Sequence, residues 1–317
     1  MKDRKRTPAQ EARETSSPAR RRGPSGFEAY YEQVLGDRWP SLRASLLSRA
    51  ERPGEGRVIR ENAFSDASAR AGHFSRLAPG PVPGTWLFDR SMRADAPDPS
   101  GLRLGYVMDP ASILPARALP LDGAKNILDL CAAPGGKALI LAERAPEDAQ
   151  ITLNDRSSDR VERLKQVFKD YVPPSVRERT RVTREDGRLI FRKYPNLFDG
   201  ILLDAPCSSE AHVALDPSAL ADWSEGRVER LAKEQYALVT SALGALRSGG
   251  YLVYSTCALA PLENDLVLSR LLERGRHPAE VLELPRAPLT ERTSHGLQVL
   301  PDRSGFGPIY YALIQKL

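Results

Sequence analysis

Two periodicities alternate along the chain from about residue 105 to its end. Short apolar runs bounded by turn residues predict strands over 126–130, 150–154, 200–204 and 251–255, with a weaker one over 181–184. Between them, apolar residues recur at helical spacing over the stretch up to Arg144 and over 158–171, 228–246 and 262–274. Residues 297–300 and 309–315 supply closing strands. Strands alternating with helices predict an α/β fold, a Rossmann-like, doubly wound and mostly parallel sheet. Ligands of such a sheet sit at the carboxyl ends of its strands.

The first third reads differently. Residues 27–52 carry Phe27, Tyr30, Tyr31, Val34, Leu35, Trp39, Leu42, Leu46 and Leu47 at helical spacing, interrupted at Pro40. Residues 53–100 are rich in Pro, Gly, Ala and Arg and predict loops and short elements; residues 108–119 predict a short helix leading into the core. The expected organisation is a basic disordered tail (1–25), a mainly helical N-terminal region (26–104) and a catalytic domain (105–317).

Charge sharpens the tail. Residues 1–24 hold eight Lys or Arg and three acids, which accounts for the whole +5 excess of the chain. Such a tail is either a solubilising terminus or an arm for phosphates; its three acids weigh against an organellar transit peptide, which is poor in acids. The remaining chain is near neutral, so basicity alone does not mark it as a nucleic-acid binder. No apolar run is long enough to span a membrane, and the start lacks the apolar segment of a signal peptide. Three cysteines suit a reducing compartment, and the expected location is the cytoplasm.

All three cysteines follow predicted strands: Asp129-Leu-Cys131-Ala-Ala-Pro-Gly-Gly-Lys137, Asp204-Ala-Pro-Cys207 and Ser255-Thr-Cys257. In the first motif, Gly135 and Gly136 permit a tight turn onto a helix N-terminus, a place for an anion. A phosphate P-loop is excluded, because its first glycine would fall at Cys131 and Ala138 follows the lysine. The turn suits a small carboxylate instead. Asp155, 20 residues after Gly135, stands where ribose-binding acids stand, or simply leads a helix. Asp186 could meet an adenine amino group, or serve as a turn acid before Gly187. Carboxylate, ribose and adenine without phosphates fit S-adenosyl-L-methionine. No metal set is expected.

Cys207 and Cys257 with Asp204 match one chemistry. A pyrimidine C5 is a poor nucleophile until a thiolate adds to C6; an acid at N3 stabilises charge, and a further group helps remove the C5 proton. A lone strand-end cysteine is commonly an inert packing residue. That is how the Cys131 thiol reads, leaving its backbone for the cofactor.

These motifs, with Asp109-Pro-Ala-Ser-Ile-Leu114, Tyr254-Ser-Thr-Cys257 and Glu263-Asn264 in the same order, resemble the Sun family of RNA cytosine-5 methyltransferases over residues 105–317. The resemblance implies the seven-stranded sheet of S-adenosylmethionine-dependent methyltransferases. It implies that Cys257 attacks C6, Cys207 assists elimination, Asp204 contacts the cytosine and Lys137 arranges the catalytic loop. It assigns the cofactor to Cys131, Ala132, Ala133, Pro134, Gly135, Gly136, Lys137, Asp155, Asp186 and Asp204. The segments 36–47 and 306–311, and the acid and histidine after Pro-Cys (Glu210, His212), are similar to the mitochondrial-type branch. Two departures stand out: Cys207-Ser-Ser-Glu replaces the common Cys-Ser-Gly, and Ala258 replaces the usual Ser. The expected partner is RNA, ribosomal before transfer RNA, with residues 26–104, the tail or a protein partner guiding it; no feature demands more than a monomer. The rival readings are an exocyclic-amine methyltransferase, which would carry Asp/Asn-Pro-Pro-Tyr/Phe in place of Asp-Ala-Pro-Cys, and a catalytically weak RNA-binding assembly factor.

Overall fold

The computed structural model describes residues 20–51, 56–89, 93–274 and 277–317. The expectation for residues 1–19 of the tail lies outside them.

Among the described residues, twelve strands form two sheets. A small antiparallel sheet holds β1 (Val58–Glu61), β2 (Thr85–Leu87) and β3 (Gly105–Met108) in the order β2-β1-β3. The large sheet is built from β4 (Asn126–Asp129), β5 (Gln150–Asn154), β6 (Thr180–Thr183), β7 (Phe198–Asp204), β8 (Leu246–Thr256), β9 (Ala279–Leu282), β10 (Glu291–Arg292), β11 (Leu297–Val299) and β12 (Ile309–Lys316). Its order is β10-β11-β12-β8-β7-β4-β5-β6, with β9 paired to β12. The pairs from β6 through β8 are parallel, and β12 returns antiparallel to β8. The α/β class is as expected. The sheet has nine strands where seven were expected, because the two-residue β10 and the edge strand β9 have no periodicity of their own to reveal them.

Both faces of the sheet are buried, and the alternation within single strands shows why. Leu202 and Val253 point into one core with Ile113, Ile127 and Ile140. Their neighbours Ile201, Leu203, Leu252 and Tyr254 point into the other, under the long helix Glu225–Ala245 through Leu238, Val239 and Ala242. The region before β4 is not wholly helical. Val58 and Ile59 are fully buried, and Ile59 packs with Phe74, Ala94 and Leu104 in a small core under the three-stranded sheet.

The N-terminal helices Gly23–Leu35 and Trp39–Glu51 break at Gly36, whose φ is +55°; Pro40 falls in the first turn of the second helix, where its missing N–H costs nothing. Residues 20–25, expected within the disordered tail, are tied to the core. Arg20 pairs with Glu229 at 2.8 Å, and the Gly23 N–H donates to Trp223 O at 2.9 Å. The aromatic face of these helices closes over Trp223, whose ring centroid lies 5.6 Å from both Phe27 and Tyr30. The same cluster takes in Val213, Leu259 and Ala260, which follow the two motif cysteines Cys207 and Cys257.

Trp223 is 1% exposed, and truncating it leaves a cavity beneath both N-terminal helices. Trp223→Ala should cost about 3–5 kcal/mol in urea unfolding; a loss under about 1 kcal/mol would mean that these helices do not depend on it.

Candidate active site

The parallel pairing of β7 and β8 places Asp204 opposite Ser255. Each strand then runs out into a loop, and the thiols of Cys207 and Cys257 come to rest 3.0 Å apart. The hydrogen bond between them makes the sulfurs unequal. It draws the Cys257 pKa below the ordinary thiol value and, with burial, raises that of Cys207 well above it. The two thiols thus share one contact and are shifted in opposite directions, with Cys257 the more readily ionised of the pair.

Ser209 joins this pair. Its hydroxyl lies 3.5 Å from the Cys207 sulfur and 3.4 Å from that of Cys257. Its backbone has φ +55°, a conformation that favours glycine. The departure from Cys-Ser-Gly thus places a side chain where a glycine would fit freely, and gains a hydroxyl beside both sulfurs.

Asp204 accepts from Lys137 Nζ and from Ser255 Oγ, each at 2.8 Å. Burial opposes the charge on Lys137, but Asp204 outweighs it and holds the ammonium above its usual pKa. Beside this pair lies a cavity of about 250 Å³ lined by Cys131 to Pro134, Gly136, Lys137, Asp204, Asp129 and, from the small sheet, Tyr106 to Met108. Asp129 is 1% exposed, and although the Cys131 backbone N–H faces it, neither carboxylate oxygen completes a hydrogen bond of normal geometry. Burial and the neighbouring Asp204 push its pKa up to about 8. A cationic ligand group in the cavity would supply the missing partner.

The residues expected around the cofactor divide between two hollows. The second, about 80 Å³, is lined by Asp155 and Asp186 with Asn154, Arg160, Gly187 and Pro206, and Cys131 belongs to both. Asp155 is buried, accepts from the Ser157 N–H at 3.0 Å and lies 3.4 Å from Arg160. Asp186 is drawn below its ordinary pKa by Arg188, which it holds through both carboxylate oxygens. Gly135 lines neither hollow. With φ +125° it turns the chain into the helix Gly136–Arg144, and a Cβ there would meet Val167 at 2.9 Å. The Cys131 thiol is raised well above its usual pKa by burial, as an inert packing sulfur is.

His212 is exposed and 3.8 Å from Asp216. Glu210 and Glu263 are fully buried. Glu263 accepts from the Ser208 N–H at 3.0 Å and Gln235 Nε2 at 2.7 Å, and burial and Glu210 push its pKa up to about 8. The sequence shows Glu263 as part of a motif without giving its role; its place between two apolar segments was the available signal.

Because the folded pKa of Glu263 lies above the ordinary 4.5, the folded state binds the extra proton between those values. Its stability contribution is present below the lower value and lost as pH rises toward about 8. Glu263→Gln should therefore gain stability on the wild type from roughly pH 5 to pH 8 in urea unfolding; a difference that is flat with pH would mean the acid is not held neutral.

A family model described as 16S rRNA methyltransferase RsmB/F matches residues 116–315. The chain is 32% identical to the 5-cytosine rRNA methyltransferase NSUN4 of Bos taurus, over 82% of this chain and 76% of that one. It is 31% identical to the mitochondrial tRNA (cytosine(34)-C(5))-methyltransferase of Danio rerio, over 92% and 86% respectively. It is 37% identical to the ribosomal RNA small subunit methyltransferase F of Erwinia tasmaniensis over 64% of this chain and 44% of that one. Among solved structures, a methyltransferase homologue from Pyrococcus horikoshii superposes with TM-score 0.69 at 23% identity, covering 90% of this chain and 93% of that one, and supports the fold alone. The cytoplasmic expectation is overturned: relatives that span most of the chain include enzymes named as mitochondrial, from zebrafish and from mouse. With its family model spanning most of the chain and its relatives at about a third identity, the chain belongs to the RsmB/F family of 16S rRNA methyltransferases, enzymes of RNA cytosine-5 methylation.

Proposed function

We propose that the protein methylates C5 of a cytosine in small-subunit ribosomal RNA, with S-adenosyl-L-methionine as donor, in the mitochondrial setting that two of its relatives are named for. The observation that carries the reading is the pair of cysteine sulfurs, 3.0 Å apart, at the strand edge that also holds the Lys137–Asp204 pair.

The Cys257 thiolate adds to C6, the C5–C6 electron pair moves toward C5 and N3, and N3 takes a proton that Asp204 relays from the Lys137 ammonium. S-adenosyl-L-methionine supplies the methyl group that C5 accepts. Cys207, as a thiolate or through a water it orients, then takes the C5 proton; those electrons re-form the C5–C6 double bond as the sulfur–C6 bond breaks and returns its electron pair to Cys257. The cofactor is assigned to the two hollows that share Cys131: its cationic end beside the unpartnered carboxylate of Asp129, its ribose at Asp155 and its adenine beside Asp186. For the adenine amino group to use Asp186, Arg188 must yield one of its bonds. A transfer-RNA substrate is the second reading, favoured by the zebrafish relative's coverage of 92% of the chain.

Cys257→Ala should abolish both methylation and any covalent enzyme–RNA adduct, and Cys207→Ala should accumulate an adduct that survives denaturing electrophoresis. Continued cytosine methylation by Cys257→Ala would overturn the assignment. Gly135→Ala should weaken S-adenosyl-L-methionine binding at least about tenfold in calorimetry, because the turn cannot keep φ +125° with a Cβ against Val167; unchanged binding would place the cofactor elsewhere.

A further inference from the structure

Glu210 takes no part in the chemistry above, yet its carboxylate stands where three segments meet. Oε1 accepts from the Tyr31 hydroxyl, on the helix Gly23–Leu35, and from Ser208 Oγ at 2.5 Å, beside Cys207. Oε2 accepts from the backbone N–H of Leu259 at 3.0 Å, two residues beyond Cys257. Among the described residues it has no ion-pair partner, and it is fully buried. A buried acid without a cation is costly, and three donors converging on one carboxylate offset that cost. An apolar side chain could fill the space without it. What the carboxylate alone provides is a bond to each catalytic loop, although the loops are far apart in the chain.

The second acid strengthens this geometry. The Ser208 N–H donates to Glu263 while its hydroxyl donates to Glu210, so the residue after Cys207 is held at two atoms. Ser209, in its left-handed conformation between these anchors, has little freedom, and its hydroxyl stays beside both sulfurs. The other titratable group facing Glu210 from the N-terminal helix is Tyr30, whose hydroxyl is raised by burial and by Glu210 itself.

We propose that Glu210 is a positioning residue for the two-thiol centre: it clasps the segment behind Cys207 to the segment behind Cys257 and ties both to the N-terminal helix through Tyr31, so that docking of this helix sets the spacing of the sulfurs. The inference rests on the reading of Cys257 as nucleophile and Cys207 as the group that assists release.

The test compares wild type, Glu210→Gln, Tyr31→Phe and Cys207→Ala on ribosomal RNA and in alkylation by iodoacetamide across pH. For Glu210→Gln, kcat should fall about tenfold or more, with KM for RNA within about twofold. The enzyme–RNA adduct should accumulate, and the pH midpoint for Cys257 alkylation should rise toward the free-thiol value of about 8.5 as the contact with Cys207 loosens. Tyr31→Phe keeps the ring packing and loses one bond, so it should move kcat and the midpoint the same way by less, about threefold in kcat. Should Glu210→Gln fail to fold, Tyr31→Phe decides. A wild-type kcat and an unmoved midpoint in folded variants would overturn the proposal, as would activity lost only in proportion to the unfolded fraction. Cys207→Ala separates the two claims: if it traps no adduct, the role of Cys207 fails, while the alkylation midpoint still decides Glu210.

Discussion

The side-by-side ending of β7 and β8 is the constraint on which the site depends. Parallel pairing fixes Asp204 against Ser255, and only two residues then precede Cys207 and one precedes Cys257. The sulfurs are close because the strands are adjacent, and their mutual contact draws the Cys257 thiol down and the Cys207 thiol up. The two roles of the proposed reaction, attack and release, need such a division. Lys137 reaches this edge from the first turn of the helix after β4, the strand on the other side of β7. The middle of the sheet thus delivers the thiols, the acid and the base partner to one place.

The rest of the molecule holds that place closed. The small antiparallel sheet brings Tyr106, Val107 and Met108 over the cavity beside Asp129 and Lys137. The N-terminal helices pack on the segments that follow each cysteine, through Val213, Leu259 and Ala260. Beneath them, Glu210 and Glu263 form a buried acidic pair with no cation between them among the described residues, hung on Ser208 and Leu259. Polar networks of this kind cost stability and specify geometry.

The catalytic edge was largely legible in the sequence. A strand of period two followed by Asp-Ala-Pro-Cys or Ser-Thr-Cys announces itself, because both the alternation and the turn residues are local. What could not be read was whatever depends on distant packing. Glu210 looks like a loop acid until the fold brings Tyr31 and Leu259 to it. Glu263 belongs to a recognisable motif, but its neutral state follows from burial that no local pattern records. The strands β1 and β2 are too short, and too interrupted by Pro and Gly, to show a period, so residues 53–100 read as loops. Gly135 reads as a turn glycine from its motif alone, but its packing from behind against Val167 depends on a helix distant in the sequence.

The division of labour between the sulfurs is open to direct measurement. An RNA substrate carrying 5-fluorocytosine at the target position can accept sulfur and methyl but cannot lose a C5 proton, so the enzyme remains bonded to it. Digestion and mass spectrometry of that adduct identify the attached cysteine. The account predicts the nucleotide on Cys257 alone, with Cys207 free to alkylate after denaturation; a nucleotide found on Cys207 would contradict it.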